Sequence, residues 1–174
     1  MEYTCHYDSP LGGITLASDG KALSGLWFDG QKYYAQTLHK DHEEKDLDIF
    51  HAAKEWLDIY FSGNDPGFTP SLLLKTTPFR KRVCEIMLEI PYGRTMTYGE
   101  IAAVIAAERN VPHMSAQAVG SAVGHNPVSL IIPCHRVIGA DGSLTGYAGG
   151  VEKKLALLKM EKGAVKKPPI EIGS

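Results

Sequence analysis

Three cysteines in 174 residues, Cys5, Cys84 and Cys134, are too few and too odd in number for a disulfide framework. A reducing compartment, the cytoplasm, is therefore the expected location. No apolar run approaches the ~18 residues of a membrane-spanning helix, so no membrane association is expected. The opening MEYTCHYDSPLGG lacks both the basic and the apolar stretch of a secretory signal. Net charge is small as well: 18 Lys/Arg against 20 Asp/Glu leave −2. Taken whole, that balance argues against nucleic acid as a partner. The remaining composition, 44% hydrophobic and 22% charged, excludes a disordered chain, a collagen-like fibre and a coiled-coil rod. The length suits one domain or two small ones.

The overall charge conceals an asymmetry. Residues 1–75 carry 6 Lys/Arg and 12 Asp/Glu, a net of −6; residues 76–174 carry 12 and 8, a net of +4. An acidic half joined to a basic half suggests two units, 1–75 and 76–174, with different partners. The basic half is the one suited to phosphates.

In the first half, short apolar runs alternate with turn signals. Tyr3–Tyr7 is followed by SPLGG, Ile14–Ala17 by Asp19-Gly20, and Leu23–Phe28 by Asp29-Gly30. This reads as an antiparallel meander. After the charged HKDHEEKD, residues Leu47, Phe50, Trp56, Leu57, Tyr60 and Phe61 fall on one helix face. Ser62-Gly63-Asn64 ends that helix, and NDPGFTPS reads as a linker.

The second half reads as helical. Thr77-Pro78 opens a helix with Phe79, Val83, Ile86, Met87 and Ile90 on its apolar side, and Pro91-Tyr92-Gly93 breaks it. Thr97 and Glu100 form a capping box for a short helix bearing Ile101, Ala102, Val104 and Ile105. Ser115 caps another that runs to Val123 and stops at Gly124-His125-Asn126-Pro127. Two short helices joined by a turn resemble a helix-turn-helix. The second is rich in small residues (Ala116, Ala118, Gly120, Ser121, Ala122), which suits either close approach to another surface or close packing inside the core. The tail KKPPIEIGS is expected to fray.

Chemistry concentrates between Asn126 and Gly150. Leu130-Ile131-Ile132 ends at Pro133, and Cys134-His135 follows directly. A thiolate is the competent nucleophile, yet a free thiol with a pKa near ~8.5 is only slightly ionised at neutral pH. An adjacent imidazole removes the proton directly or through one water, and a carboxylate behind it fixes its tautomer. Local reasoning leaves Asp141, Glu152 and Glu161 as equal candidates for that carboxylate. A buried core cysteine is the plainer alternative for Cys134.

The segment PCHRVI at 133–138, within GHNPVSLIIPCHRVIGADGSLTGYAGG, resembles the active-site signature of the O6-alkylguanine-DNA alkyltransferases, the methylated-DNA–protein-cysteine methyltransferases. The resemblance extends back through IPYGRTMTYGEIA at 90–102 and forward to LLKMEKG at 157–163. The first half, with its SPLG turn, is similar to the family's N-terminal domain less specifically.

The resemblance implies an α+β protein. A small antiparallel-sheet, ribonuclease-H-like N-terminal domain would precede a helical domain with a winged helix-turn-helix. It implies single-turnover repair of DNA: the alkyl group of O6-alkylguanine, with O4-alkylthymine as a second candidate substrate, moves to Cys134 as a stable thioether. No cofactor is needed. The partner is double-stranded DNA carrying the lesion, entered from the minor groove by a monomer that flips the nucleotide out of the stack. His135 matches the base beside the cysteine, and Glu161 the carboxylate that orients it. Tyr98 matches a proton donor to the base's N3, and Asn126 a residue tying the helix-turn-helix to the active-site turn. Tyr147, Ala148, Gly149, Val137 and Lys154 match the alkyl pocket and its surroundings. Ser115, Ala116, Gln117, Ala118 and Gly120 on the recognition helix, with Arg80, match DNA contacts. Gln117 stands where much of the family has an arginine that fills the gap left in the duplex. Some members hold zinc in the first domain, but Cys5 and His6 fall short of a ligand set, so no metal is expected. A non-catalytic or weakly active lesion-binding protein is the alternative; such relatives lack the cysteine.

Overall fold

The computed structural model describes residues 1–144 and 147–164. The tail KKPPIEIGS and residues 145–146 of the TGYAGG stretch lie outside the described residues. The chain forms two compact units: one is Met1–Thr76 with Pro127–Ile131, the other begins at Thr77 and takes the remainder.

The first unit is a sheet covered by a helix. Strands β1 (Glu2–Ser9), β2 (Gly12–Ser18) and β3 (Leu23–Phe28) form the expected antiparallel meander. Gly12 at φ 118° and the Asp19 side chain, which accepts from the Lys21 and Ala22 N–H groups, close its two turns. A fourth strand, β4 (His42–Glu44), pairs parallel with β1, so the sheet is mixed and ordered β3-β2-β1-β4. This corrects the expectation of an antiparallel sheet. His42-Glu43-Glu44 is an exposed, charged edge strand and carries no apolar alternation to betray it. Helix α1 (Asp48–Phe61) buries Phe50, Ala53, Trp56, Leu57 and Tyr60. Ile14, Leu16, Leu23, Leu26 and Phe28 are buried in the same unit, and each such side chain contributes about 1.5–3 kcal/mol. The NDPGFTPS stretch ends on the sheet, where Leu23 N–H donates to the Ser71 carbonyl and Leu73 N–H to that of Leu23. On the same strand, Leu26 exchanges bonds with Pro127 and Ser129.

The second unit is helical. Helix α2 (Pro78–Leu88) is capped by the Thr77 hydroxyl. Helix α3 (Tyr98–Glu108) carries the capping box of Thr97 and Glu100. It buries Ile101, Ala102, Ile105 and Ala106, while Val104, expected on that face, is exposed. Helix α4 (Ala116–Gly124) is capped by Ser115. Strands β5 (Met96–Thr97) and β6 (Val137–Ile138) pair in parallel. A single 3-10 turn, Cys134–Arg136, leads into β6. Helix α5 (Val151–Ala164) closes the unit. Sequence periodicity misses α5 because its pattern is inverted: Val151 and Leu155 are exposed, whereas Lys154 and Glu161 are buried.

Candidate active site

The turn bearing Cys134 is held from both sides. Cys134 N–H donates to the Ile132 carbonyl at 2.8 Å, and Arg136 N–H to that of Pro133 at 2.9 Å. The Asn126 amide, at the end of α4, donates from Nδ2 to the Ile132 carbonyl at 2.8 Å in a buried setting. Asn126 and Ile132 are the second-unit residues on either side of the 127–131 segment. One side chain therefore fixes the end of α4 to the start of the reactive turn. Leu130, buried within the intervening segment, takes a left-handed φ of 70°, a conformation that costs a non-glycine residue about 1–3 kcal/mol. Asn126→Ala should leave the Ile132 carbonyl without this donor. The expected loss is about 1–3 kcal/mol in denaturant unfolding. Asn126→Asp, which sets an acceptor against an acceptor, should lose more.

Cys134 is 3% exposed, His135 0% and Glu161 1%. His135 Nε2 and Glu161 Oε2 are 2.5 Å apart. Asp141 instead accepts from the N–H of Ser143 in its own turn, and both Asp141 and Glu152 are exposed. Of the three candidates, Glu161 is the carboxylate behind the imidazole. It receives further donors: Arg136 Nε to Oε1 at 2.8 Å, Arg136 Nη2 to Oε2 at 3.3 Å, and Gly93 N–H to Oε1 at 3.0 Å. Arg136 also donates to the Ile90 carbonyl at 2.8 Å and lies 5.6 Å from the centre of the Tyr92 ring. Burial pushes Glu161 upward, but His135 and Arg136 outweigh it and hold the carboxyl below the usual range. Burial drives His135 below its ordinary value; Glu161 opposes this, while Arg136 and Lys154 add to it.

Further polar groups converge on the thiol. Lys154 is fully buried, donates to the Val137 carbonyl at 2.5 Å, and sits 5.8 Å from the Tyr98 ring centre. Burial lowers its ammonium to about 8, against the attraction of Cys134. Burial, then the negative charge of Cys134, raises both Tyr98 and Tyr147. Gly149 lies under Tyr147: a Cβ there would stand 2.6 Å from the ring, so glycine lets the ring settle on the backbone. Ala148 and Gly149 are half-buried and Val137 is buried. Cys84 is a second buried thiol, pushed up to about 12 mainly by burial. Among the described residues no group of three or more His, Cys, Asp or Glu side chains is placed to hold a metal ion.

Helix α4 has two faces. Ser115, Ala116, Gln117, Ala118 and Ser121 are exposed, while Val119, Ala122 and Val123 are buried. Gly120 is half-buried, its would-be Cβ 3.9 Å from the Tyr98 ring. The small residues thus divide: Ala116, Ala118 and Ser121 form an accessible face, and Ala122 packs inside. Arg80 is half-buried on α2, and its neighbour Arg82 is bound to Glu85 and Glu108. Sequence reasoning assigned no role to Arg136, Gly93 or the Ile90 carbonyl. A buried carboxylate needs more than one donor, and an arginine directly after the histidine was the available signal.

Comparison with known proteins matches the chain in two successive parts. Residues 3–74 match the model of the 6-O-methylguanine DNA methyltransferase ribonuclease-like domain, and residues 78–163 that of the DNA binding domain. A methylated-DNA–protein-cysteine methyltransferase of Mycobacterium bovis is 46% identical over 160 residues, covering 90% of this chain and 92% of the relative. Its counterpart in Haemophilus influenzae is 38% identical over 162 residues, covering 92% and 86%. A crystal structure of Mycobacterium tuberculosis OGT in complex with DNA superposes with a TM-score of 0.80 at 43% identity, covering 94% of each chain.

Proposed function

Because the chain belongs to the 6-O-methylguanine DNA methyltransferase family, we propose that Cys134 is the alkyl-accepting centre of its reaction, activated through His135 and Glu161. The activity is repair of DNA by direct transfer of an alkyl group from O6-alkylguanine to a protein cysteine. The observation that carries the assignment is the buried 2.5 Å pair of His135 and Glu161 beside the thiol of the PCHRVI turn.

With Nε2–H given to Glu161, neutral His135 has its accepting lone pair on Nδ1. The thiol proton passes to that nitrogen, directly or through one water. The thiolate sulfur then bonds to the alkyl carbon as the carbon–O6 bond breaks, and the bonding pair leaves with the guanine. Tyr98, held protonated by its raised pKa, donates its phenol proton to N3, so neutral guanine departs. The Lys154 ammonium, 5.8 Å from the centre of the Tyr98 ring, favours a negative charge on that side chain through space. Tyr147, Ala148, Gly149 and Val137 bound the space for the alkyl group. The thioether sulfur has no proton to lose and cannot become a thiolate again, so each chain acts once.

A lesion inside a duplex cannot reach a thiol that is 3% exposed. The nucleotide is flipped out, at a cost of a few kcal/mol. The exposed, small-residue face of α4 suits approach from the minor groove, with Ser115, Ala116, Ala118 and the half-buried Gly120 allowing close contact, Gln117 entering the stack and Arg80 on the backbone. The protein works as a cytoplasmic monomer. Gln117 can pair with an orphaned base through its amide but brings no charge to the phosphates. Gln117→Arg should therefore tighten duplex binding, by about tenfold at low salt, and steepen its salt dependence by about one ion. Titration of labelled duplex at several salt concentrations reads both.

The function is tested by mixing the protein with excess duplex containing O6-methylguanine and following the lesion. Repair should stop at one lesion per chain. Continued turnover would indicate a cysteine hydrolase instead, and no loss of lesion would overturn the assignment.

A further inference from the structure

Glu161 poses an electrostatic problem for a base. A carboxylate 2.5 Å from a buried imidazole favours the imidazolium, and an imidazolium accepts no proton. The local groups show how this is offset. His135 is surrounded by Glu161 and Lys154 from α5, and by Cys134 and Arg136 from its own turn. Tyr147, ahead of α5, senses both Cys134 and Glu161. Arg136 is in direct charge contact with Glu161, its fork reaching both carboxylate oxygens.

We propose that Arg136 is a positioning residue of the alkyl-transfer site: its guanidinium occupies Glu161, so that the carboxylate orients His135 without charging it. The geometry suits this role. Three anchors fix the guanidinium: Glu161, the Ile90 carbonyl at 2.8 Å, and the Tyr92 ring. Arginine remains charged at any working pH, so Glu161 is paired whether or not His135 holds a proton. Gly93 N–H adds a neutral donor to Oε1. Glu161 therefore fixes the Nε2–H tautomer while much of its charge is already balanced. The charge-lowering influence of Arg136 on His135 has the same direction.

The proposal rests on the alkyl-transfer reading, and one set of samples separates the two. His135 ring nitrogens are followed by NMR in full-length, histidine-labelled protein from about pH 5 to about pH 9, with the signal assigned through His135→Gln. In wild type, His135 should be neutral at pH 7 with its proton on Nε2. Arg136→Lys, which keeps the charge, should leave the titration within about half a unit. Arg136→Gln should raise it by about one unit or more, and the acid limb of the methyl-transfer rate should move with it, about tenfold per unit. A charged His135 in wild type at pH 7, an unmoved titration in Arg136→Gln, or a shift in Arg136→Lys as large as in Arg136→Gln would overturn the proposal. If Arg136→Gln does not fold, a charged His135 in wild type at pH 7, or a shift of about one unit or more in Arg136→Lys, would still overturn the proposal. Methyl transfer to wild-type Cys134 is scored in parallel. Its absence refutes the function itself, whereas transfer with one of the contrary titrations refutes only the role of Arg136.

Discussion

Glu161→Gln is expected to destabilise the protein by about 3–5 kcal/mol and to slow methyl transfer by about 10²–10⁴-fold. The carboxylate receives donors from His135, Arg136 and Gly93. A glutamine amide can accept on one atom only, and its NH₂ would face another donor. Arg136, 8% exposed, would keep its charge without a counter-ion, which is the costly outcome for a buried pair. Glu161 has a folded pKa below its unfolded value. Its stabilisation is thus fully present above the ordinary carboxylate range and declines as pH falls through the depressed folded value. The difference in unfolding free energy between wild type and Glu161→Gln should be flat above about pH 5 and shrink in stronger acid. Denaturant unfolding at several pH values reads the first effect, and single-turnover kinetics the second. A difference below about 1 kcal/mol would mean that Glu161 is not the hub of this site.

Cys134→Ala should abolish transfer completely while leaving duplex binding within about threefold of wild type and costing about 1 kcal/mol of stability. The separation is expected because the α4 face proposed to meet DNA is distinct from the turn proposed to carry the chemistry. Ser115, Ala116, Gln117 and Ala118 are exposed on α4, whereas Cys134 is buried in the 3-10 turn. Complete loss, rather than a reduced rate, is expected because no other thiol is fit to substitute. Cys84 is buried with its pKa pushed up to about 12, so it stays a thiol at neutral pH. Cys5 belongs to the first unit and is likewise raised by burial. Residual methylation of the variant, or loss of its affinity for duplex, would contradict this division.

Much of the fold was legible because local rules and tertiary packing agree. The Thr97–Glu100 capping box, Ser115 at the start of α4 and the Asp19-Gly20 turn are all formed. What escaped was placed by contacts that the local sequence does not encode. Strand β4 is three charged residues held at the edge of β1, and α5 turns two charged residues inward while exposing Val151 and Leu155. The same inversion hid the site. Glu161 and Lys154 look like solvated charges on a lysine-rich helix, and only packing reveals them as the groups behind His135 and Tyr98. Cys134 and His135 stood out because they are adjacent. Their carboxylate lies 26 residues from His135, beyond the reach of local spacing, and was named only through the family resemblance. Net charge was misleading for a related reason. The overall −2 conceals +4 in the half that carries the alkyltransferase signature.

The most direct test is mass spectrometry of the digested protein after incubation with an O6-methylguanine duplex. The expected result is one added methyl group, confined to the peptide containing Cys134, and no addition in Cys134→Ala. A methyl group on Cys5 or Cys84, or an unmodified chain after the lesion has been consumed, would contradict the assignment of Cys134 as the acceptor.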